Sequence, residues 1–123
     1  MQKTILIVDD EADIRDSLAE FFEIFEHFKT IKASSGTEAL SLLSENDVDM
    51  VISDIRMPQG DGIFLVNQLK SKIEKGLKFI FMTGYSDLTR SAALKLGAKE
   101  IFYKPFDLEV LSAYIRKLFE EKH

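Results

Sequence analysis

Hydrophobic positions along the chain follow two alternating patterns. Short, mostly apolar runs occur five times, and such runs are typical of parallel strands that are buried on both faces. The longer segments that follow them carry apolar residues at the spacing of an amphipathic helix. The predicted strands are Thr4–Val8, Thr30–Ala33, Asp49–Ser53, Phe79–Met82 and Ile101–Tyr103. The pattern therefore predicts a strand–helix unit repeated five times, as in an α/β protein.

Each predicted helix has a recognisable beginning or end. The first spans Asp13–His27, and Ser35 with Glu38 matches a capping box at the start of the second. Helices are also predicted to begin at Asp61-Gly62, Asp87 and Asp107, and to end at Gly76 and Gly97. The predicted inner face of the first helix consists of Ile14, Leu18, Phe21, Phe22 and Phe25.

Length and composition indicate one globular domain that spans residues 1–123. Hydrophobic residues make up 46% of the chain and charged residues 30%, which is typical of soluble domains. No apolar run approaches the roughly 20 residues of a membrane span, and no signal peptide precedes the first strand. We therefore expect a cytoplasmic protein that does not associate with membranes.

Composition also disfavours several kinds of binding site. The net charge of −5 gives no general attraction to nucleic acid or anionic lipid. The chain has no cysteine, which excludes disulfides and cysteine-based zinc sites. Its two histidines, His27 and His123, are far apart in the sequence. A metal site built from histidines is therefore not expected.

Polar residues follow the predicted strands in a consistent way. In chain order they are Asp9, Asp10 and Glu11, then Asp54, Thr83 and Lys104. Right-handed crossovers place the carboxyl ends of all parallel strands at one edge of the sheet, where open α/β sheets bind their ligands. If the first and third strands are neighbours, three aspartates converge at that edge.

This set of side chains suits the transfer of a phosphoryl group. Clustered carboxylates repel one another, and Mg²⁺, which prefers oxygen ligands, relieves that repulsion. Lys104 and Thr83 add a positive charge and a hydroxyl donor for phosphoryl oxygens, while Asp54 can act as the nucleophile. Each residue by itself is common in turns or at helix ends. Their joint occurrence after successive strands favours a functional site.

Four motifs in this order resemble the receiver domain of two-component response regulators. They are Ile5–Glu11 (ILIVDDE), Asp54–Pro58 (DIRMP) followed by Asp61-Gly62, Met82–Gly84 (MTG) and Lys104–Phe106 (KPF). The resemblance covers essentially the whole chain. It implies a doubly wound, CheY-like three-layer sandwich with a parallel five-stranded sheet in the order 2-1-3-4-5, as in flavodoxin-like folds.

The resemblance also implies roles for particular residues. Asp54 would accept the phosphoryl group, and Thr83 and Lys104 would hold the phosphoryl oxygens. The implied Mg²⁺ ligands are Asp10, Asp54 and the backbone carbonyl of Arg56, with Asp9 acting mainly through a metal-bound water. The Lys104–Pro105 peptide bond is expected to be cis, which only proline makes inexpensive.

The implied function is signalling rather than enzymatic turnover of a substrate. A sensor histidine kinase or a phosphotransfer protein would supply the phosphoryl group to Asp54. The domain would support this transfer and its own slow dephosphorylation, and would then change its affinity for a downstream protein or effector domain. By analogy with the family, the output surface is the last two helices and the fifth strand.

Three positions differ from, or are variable in, the family pattern. Ile101 stands where the family has an aromatic switch residue, so the usual ring rotation is not available there. Tyr103 shares a strand face with Ile101, and it could replace the switch residue or simply pack.

Arg56 and Tyr85, which border the expected site, could shield an aspartyl phosphate from water, which predicts slow dephosphorylation.

Three alternatives use a similar architecture. A phosphatase of the haloacid dehalogenase type needs a second aspartate two residues after the first, where this chain has Arg56. A flavodoxin-like FMN binder needs a hydroxyl-rich loop after the first strand, where Asp9, Asp10 and Glu11 would repel the phosphate. An interaction module that is not phosphorylated remains open, but the complete set with Thr83 and Lys104 disfavours it.

Overall fold

The computed structural model describes residues 2–84 and 88–120, in which strands and helices alternate along the chain. The strands are β1 (Thr4–Val8), β2 (Lys29–Ala33), β3 (Met50–Asp54), β4 (Lys78–Thr83) and β5 (Glu100–Tyr103). The helices are α1 (Ala12–Phe25), α2 (Gly36–Glu45), α3 (Gly62–Gln68), α4 (Lys70–Glu74), α5 (Arg90–Leu96) and α6 (Leu108–Glu120). Tyr85, Asp87 and His123, which the sequence analysis named, lie outside the described residues.

The five strands form one parallel sheet in the order β2-β1-β3-β4-β5. This is the order that the resemblance implied, and it is confirmed. All residues of β1 and β3 are buried, as expected for central strands that are covered on both faces. The adjacent pairing of β1 with β3 is what brings the residues after β1 close to the end of β3.

Helices cover both faces of the sheet and create two hydrophobic cores. On one face, the strands pack against α2, α3 and α5 through Leu43, Leu65, Val66 and Ala93. On the other face, they pack against α1 and α6 through Leu18, Phe22, Leu111 and Ile115. The predicted doubly wound, three-layer sandwich is therefore confirmed. No helix in the ranges 2–84 and 88–120 combines the length and apolar character needed to cross a membrane.

The predicted N-caps of α2 and α3 are confirmed by their side-chain hydrogen bonds. Ser35 accepts a bond of 3.1 Å from the Glu38 amide, and Asp61 accepts one of 2.8 Å from the Phe64 amide. The capping box is incomplete, because the Glu38 carboxylate accepts from the Ser34 amide rather than from that of the cap residue.

The last two helices also begin with a side-chain hydrogen bond. Asp107 accepts a bond of 2.8 Å from the Glu109 amide at the start of α6, as predicted. At the start of α5, however, Thr89 is the cap and accepts a bond of 3.0 Å from the Ala92 amide. This helix ends at Gly97, which has a left-handed φ of +113°.

The third predicted helix is divided into two in the structure, which corrects the single helix expected between Asp61 and Gly76. The break is at Leu69, whose amide bonds to the carbonyls of both Leu65 and Val66. Its side chain is only 2% exposed. The break between α3 and α4 therefore lies at a residue that is held in the core.

The inner face predicted for α1 is only partly correct. Phe22 is fully buried, whereas Phe25 is 66% exposed and contacts Phe21 with a ring-centroid distance of 5.0 Å. The helix ends at Phe25 rather than at His27, which adopts a left-handed φ of +58°. The chain reverses here, so Phe28 takes the inner position and packs against Phe22.

Candidate functional site

Asp54 is the last residue of β3 and lies at the carboxyl edge of the sheet. Its side chain is 9% exposed, so most of the carboxylate is shielded from solvent. Oδ1 accepts a hydrogen bond of 2.7 Å from the Ile55 amide. The carboxylate is thus held in one orientation by the backbone of the loop that follows β3.

Asp9 follows β1 and is fully buried. Its amide donates to the Ala33 carbonyl at the end of β2, and its Oδ1 accepts a bond of 2.9 Å from the Glu11 amide. Arg15 of α1 donates to the Asp9 carbonyl at 2.8 Å. These contacts fix the Asp9 carboxylate at the same edge of the sheet as Asp54.

Lys104 follows β5 and joins these two carboxylates. Its Nζ lies 3.0 Å from Asp54 Oδ2 and 3.1 Å from Asp9 Oδ2. Its amide donates to the Thr83 carbonyl at 2.7 Å, which ties the end of β5 to the end of β4. The Lys104–Pro105 peptide bond is cis, as predicted. Residues from three strands therefore meet at one point.

Burial and charge act in opposite directions on this group. Burial raises the pKa of Asp9, as does the neighbouring charge of Asp54, and the Glu11 amide and Lys104 oppose that rise without cancelling it. Burial lowers the pKa of Lys104, but its hydrogen bonds and attraction to Asp54 and Asp9 outweigh that effect and raise it overall. Lys104 therefore stays protonated at neutral pH and keeps a positive charge beside Asp54.

Three carboxylates in the described part of the chain lie close enough to share a metal ion. Ligand oxygens of Asp9, Glu11 and Asp54 are all within 4.8 Å of one another. Three carboxylates form an oxygen donor set of the kind that Mg²⁺ prefers, so the residues present fit that ion. Asp10, which the resemblance implied as a direct ligand, is exposed and does not belong to this group.

Glu11 is the candidate that the sequence analysis did not assign to the metal. The feature of the sequence that could have indicated a metal ligand was the position of Glu11 directly after two aspartates at the end of a strand. It is also the N-cap residue of α1, although its side chain makes no capping bond. That carboxylate is consequently free of the capping role that acidic residues in this position commonly have.

An open cleft of about 600 Å³ is lined by residues of the segments that follow β1 and β3. Asp10, Arg56, Met57 and Leu88 are among the residues that line it. Arg56, which the resemblance placed at the border of the site, has an exposed side chain. Asp10 and Ile55 of this lining are the residues that directly follow Asp9 and Asp54 in the chain.

The close approach of α3 to the end of β3 depends on Gly62, the first residue of α3. Its amide donates to the Ile55 carbonyl at 2.8 Å. A Cβ atom here would lie 2.4 Å from the Asp54 carbonyl oxygen, well inside contact distance. Only glycine lets α3 approach the end of β3 this closely.

Thr83, Ile101 and Tyr103 occupy neighbouring positions on β4 and β5. Thr83 is fully buried at the carboxyl edge of the sheet, in register with Tyr103. Ile101 is 6% exposed and belongs to the core cluster. Tyr103 is 41% exposed, and its hydroxyl donates a bond of 2.6 Å to the Leu88 carbonyl. Tyr103 is therefore tied to the β4–α5 connection rather than packed inside the core.

Comparison with protein families gives one match across nearly the whole chain. The family described as "Response regulator receiver domain" matches residues 5–116. Among relatives, the chain is 36% identical over 118 residues to sporulation initiation phosphotransferase F of Bacillus subtilis, covering 95% of this chain and 94% of that protein. It is 38% identical over 117 residues to the regulatory protein AtoC of Escherichia coli. That match covers 94% of this chain but only 25% of AtoC, so the chain spans about a quarter of that relative.

Solved structures give the same result for the fold. One similar structure is the response regulator TrrA of Thermotoga maritima in complex with Mg²⁺ and beryllium fluoride. It has a TM-score of 0.84 and 35% sequence identity, and the match covers 95% of this chain and 99% of that one.

Proposed function

The chain belongs to the family of response regulator receiver domains, and on that basis we propose that it accepts a phosphoryl group on Asp54 and switches partner binding. The observation that carries this proposal is the pairing of Asp54 with Lys104. The carboxylate is almost buried, is oriented by the Ile55 amide, and has a protonated lysine on its second oxygen.

The reaction uses this arrangement directly. An oxygen of Asp54 forms a bond to phosphorus as the P–N bond of a phosphohistidine donor breaks, and the imidazole leaves. Lys104 remains protonated, and its ammonium group exchanges the ion pair with the Asp54 carboxylate for one with a phosphoryl oxygen. Thr83, at the adjacent strand end, supplies a hydroxyl donor to the same group. A separate, slow hydrolysis completes the cycle: water attacks the phosphorus, the P–O bond to Asp54 breaks, and inorganic phosphate leaves while the carboxylate is restored.

The acidic residues would hold Mg²⁺. The family pattern assigns Asp10, Asp54 and the Arg56 carbonyl, with Asp9 acting through water, and the arrangement of carboxylates adds Glu11. When bound, Mg²⁺ neutralises negative charge on the transferring phosphoryl group. The ion also offsets the repulsion between carboxylates that burial makes costly.

A second cleft, of about 590 Å³, supports docking of a phosphodonor protein. It lies between α1 and the start of α6, directly beside Lys104, and it is lined by Ile14, Leu18, Pro105, Phe106 and Leu108. Such an apolar groove fits an apolar helix of a histidine kinase or phosphotransfer protein. We assign the domain to the cytoplasm, where such donors act, and to signalling rather than substrate turnover.

Acetyl phosphate with Mg²⁺ tests the phosphoacceptor. Intact-protein mass spectrometry should show one added phosphoryl group on the wild type and none on Asp54→Ala. Asp16→Ala, which removes an exposed aspartate of α1, should be labelled like the wild type. Labelling of Asp54→Ala, or no labelling of the wild type, would exclude Asp54 as the acceptor.

A variant in the groove tests protein docking separately from the chemistry. Ser17 is exposed and lines the groove, so Ser17→Arg should slow transfer from a phosphorylated histidine kinase by blocking its approach. Labelling by acetyl phosphate should be unchanged, because the small donor does not need the groove. Ser41→Arg places the same change on an exposed position of α2 and serves as the control. Equal slowing in both variants would rule out this groove as the docking surface.

A further inference from the structure

Ile101 and Tyr103 lie on one face of β5 but have opposite environments. Ile101 is packed in the core, with Leu88 among the hydrophobic residues around its cluster. Tyr103 remains 41% exposed at the end of the strand. Ile101 has no polar group that could change its hydrogen-bond partner between two conformations of the domain. Tyr103 has a hydroxyl group, which donates to the Leu88 carbonyl at 2.6 Å.

Leu88 relates this hydrogen bond to the loop that directly follows Asp54. It lines the cleft that also contains Asp10 and Arg56. It follows Thr83 by five positions and immediately precedes Thr89, the N-cap of α5. A bond to the Leu88 carbonyl therefore fixes both the rim of the cleft and the beginning of α5.

Tyr103 is also joined to the reacting groups through the backbone. It immediately precedes Lys104, whose ammonium group binds Asp54 and Asp9. It is paired in register with Thr83, and the Lys104 amide donates to the Thr83 carbonyl at 2.7 Å. A displacement of Lys104 or Thr83 towards a phosphoryl group is thus transmitted directly to Tyr103.

We propose that Tyr103, rather than Ile101, couples the Asp54 site to the α5–β5 surface, through a hydrogen bond to Leu88 that belongs to the unphosphorylated arrangement. This inference rests on the proposed function of Asp54. The bond accompanies an unmodified Asp54 whose Oδ2 is held by Lys104. When a phosphoryl group on Asp54 draws Lys104 and Thr83 towards it, the hydrogen bond from Tyr103 to Leu88 breaks. The start of α5 is then released, and the Tyr103 ring becomes available to a partner.

Removing the hydroxyl alone isolates this coupling. Tyr103→Phe loses the bond to Leu88 and keeps the ring. An interaction that stabilises only the unphosphorylated arrangement opposes binding of a phosphoryl mimic. Tyr103→Phe should therefore bind beryllofluoride with Mg²⁺ about fivefold more tightly than the wild type, as the loss of one ordinary hydrogen bond allows.

The chain provides a matched control in Tyr114. Its hydroxyl donates to the Lys99 carbonyl at 3.1 Å, which is also a tyrosine-to-backbone bond. Lys99 lies just before β5, at the opposite edge of the sheet from Asp54. Tyr114→Phe should therefore leave the affinity for beryllofluoride unchanged, whatever its effect on the melting temperature.

A spectroscopic measurement makes the test specific to Leu88. The Thr89 amide shares a peptide bond with the Leu88 carbonyl, so its ¹⁵N chemical shift reports on that carbonyl. In Tyr103→Phe, this shift should already lie towards the position that the wild type reaches only with beryllofluoride. Equal or weaker binding by Tyr103→Phe, tighter binding by both variants, or an unmoved Thr89 resonance would overturn the inference. Failure of the wild type itself to bind beryllofluoride would instead contradict the proposed function.

Discussion

The Glu26 carboxylate joins the end of α1 to α6 through Arg116. Its side chain is 9% exposed, whereas the Arg116 side chain is 50% exposed. Burial tends to raise the pKa of Glu26, but the neighbouring Ser112 hydroxyl and the Arg116 guanidinium lower it below its usual 4.5. The exposed pair of Lys32 with Asp16 has no such shielding, since both side chains are about half exposed.

The difference in burial between Glu26 and Asp16 predicts how much the free energy of unfolding changes when each carboxylate is neutralised. Glu26→Gln should lower the free energy of unfolding by about 1 kcal/mol at pH 7, since Arg116 loses a shielded partner. A carboxyl whose pKa is lowered on folding stabilises the protein above its unfolded pKa of 4.5, and this stabilisation is lost as the pH falls through the lower folded value. Urea unfolding at pH 7 and pH 3 measures both effects.

The control for this prediction is Asp16→Asn in the exposed pair. It should change the free energy of unfolding by less than about 0.5 kcal/mol at either pH, because exposed ion pairs are screened by solvent. A loss in Asp16→Asn as large as that in Glu26→Gln would show that burial does not distinguish the two pairs.

Among the helices, α1 shows how an element's neighbours decide which of its residues are core. Its phenylalanines are close together in the sequence, and any of them could pack inward from the pattern alone. The adjacent sheet and α6 cover Phe22 completely, while Phe25 lies beyond the covered region. The break between α3 and α4 also coincides with a core residue, since Leu69 is buried there.

Truncating these two phenylalanines should therefore have very different effects. Phe22→Ala should lower the free energy of unfolding by about 3–5 kcal/mol, because it leaves a cavity between α1 and the sheet. Phe25→Ala should cost less than about 1 kcal/mol, because its ring is mostly in solvent already. Guanidinium unfolding of both variants under one set of conditions gives the comparison. Similar losses would contradict the outward position of Phe25.

Over the whole molecule, the order of the strands concentrates negative charge at one edge of the sheet. Asp9 and Asp54 come from neighbouring strands, and Glu11 lies beside them. Lys104 compensates part of this charge, yet the pKa of Asp9 is still raised by burial. Repulsion between these carboxylates therefore destabilises the folded domain at this edge of the sheet, and a bound cation would reduce that repulsion.

Mg²⁺ should accordingly stabilise the folded domain. A ligand that binds only the folded state adds about 2.7 kcal/mol when its free concentration is about 100 times Kd. Asp10→Asn should raise the melting temperature slightly without Mg²⁺, by removing repulsion, and should lose the increase that Mg²⁺ gives to the wild type. Differential scanning calorimetry with and without Mg²⁺ measures both quantities.

Glu11→Gln provides the comparison that separates the two acidic candidates. It should keep more of the Mg²⁺ increment than Asp10→Asn if Asp10 is the direct ligand, as the family pattern implies. The opposite ranking would assign the direct contact to Glu11, which the arrangement of carboxylates places nearer to Asp9 and Asp54. An unchanged increment in both variants would exclude this edge as the metal site.

Much of the fold could be predicted from the sequence because the relevant signals are local. The apolar runs located both ends of all five strands to within one residue. Ser35, Asp61 and Asp107 marked the beginnings of helices correctly, since a cap bonds to a backbone amide only two or three residues away. The strand order came from the family resemblance rather than from the pattern itself.

Some errors arise where distant parts of the chain decide the outcome. Leu69 breaks a helix and Phe25 points outward, although local spacing favoured other interpretations. The closeness of the Glu11 carboxylate to those of Asp9 and Asp54 could not be predicted for the same reason. A sequence shows which carboxylates follow a strand, but not which of them turn towards a common point. The cap of α5 is a different kind of error, because Thr89 bonds to the Ala92 amide only three positions ahead.

By itself, the sequence determined the alternation of strands and helices, because that alternation depends on short-range periodicity, and it showed which polar residues follow four of the five strands. Tertiary structure alone decided that Lys104 bonds to both Asp9 and Asp54, and that Tyr103 bonds to Leu88. Those contacts need strands that are separated in the sequence to pair side by side in a particular register. Pairing and register are properties of the assembled sheet, and no single segment specifies them.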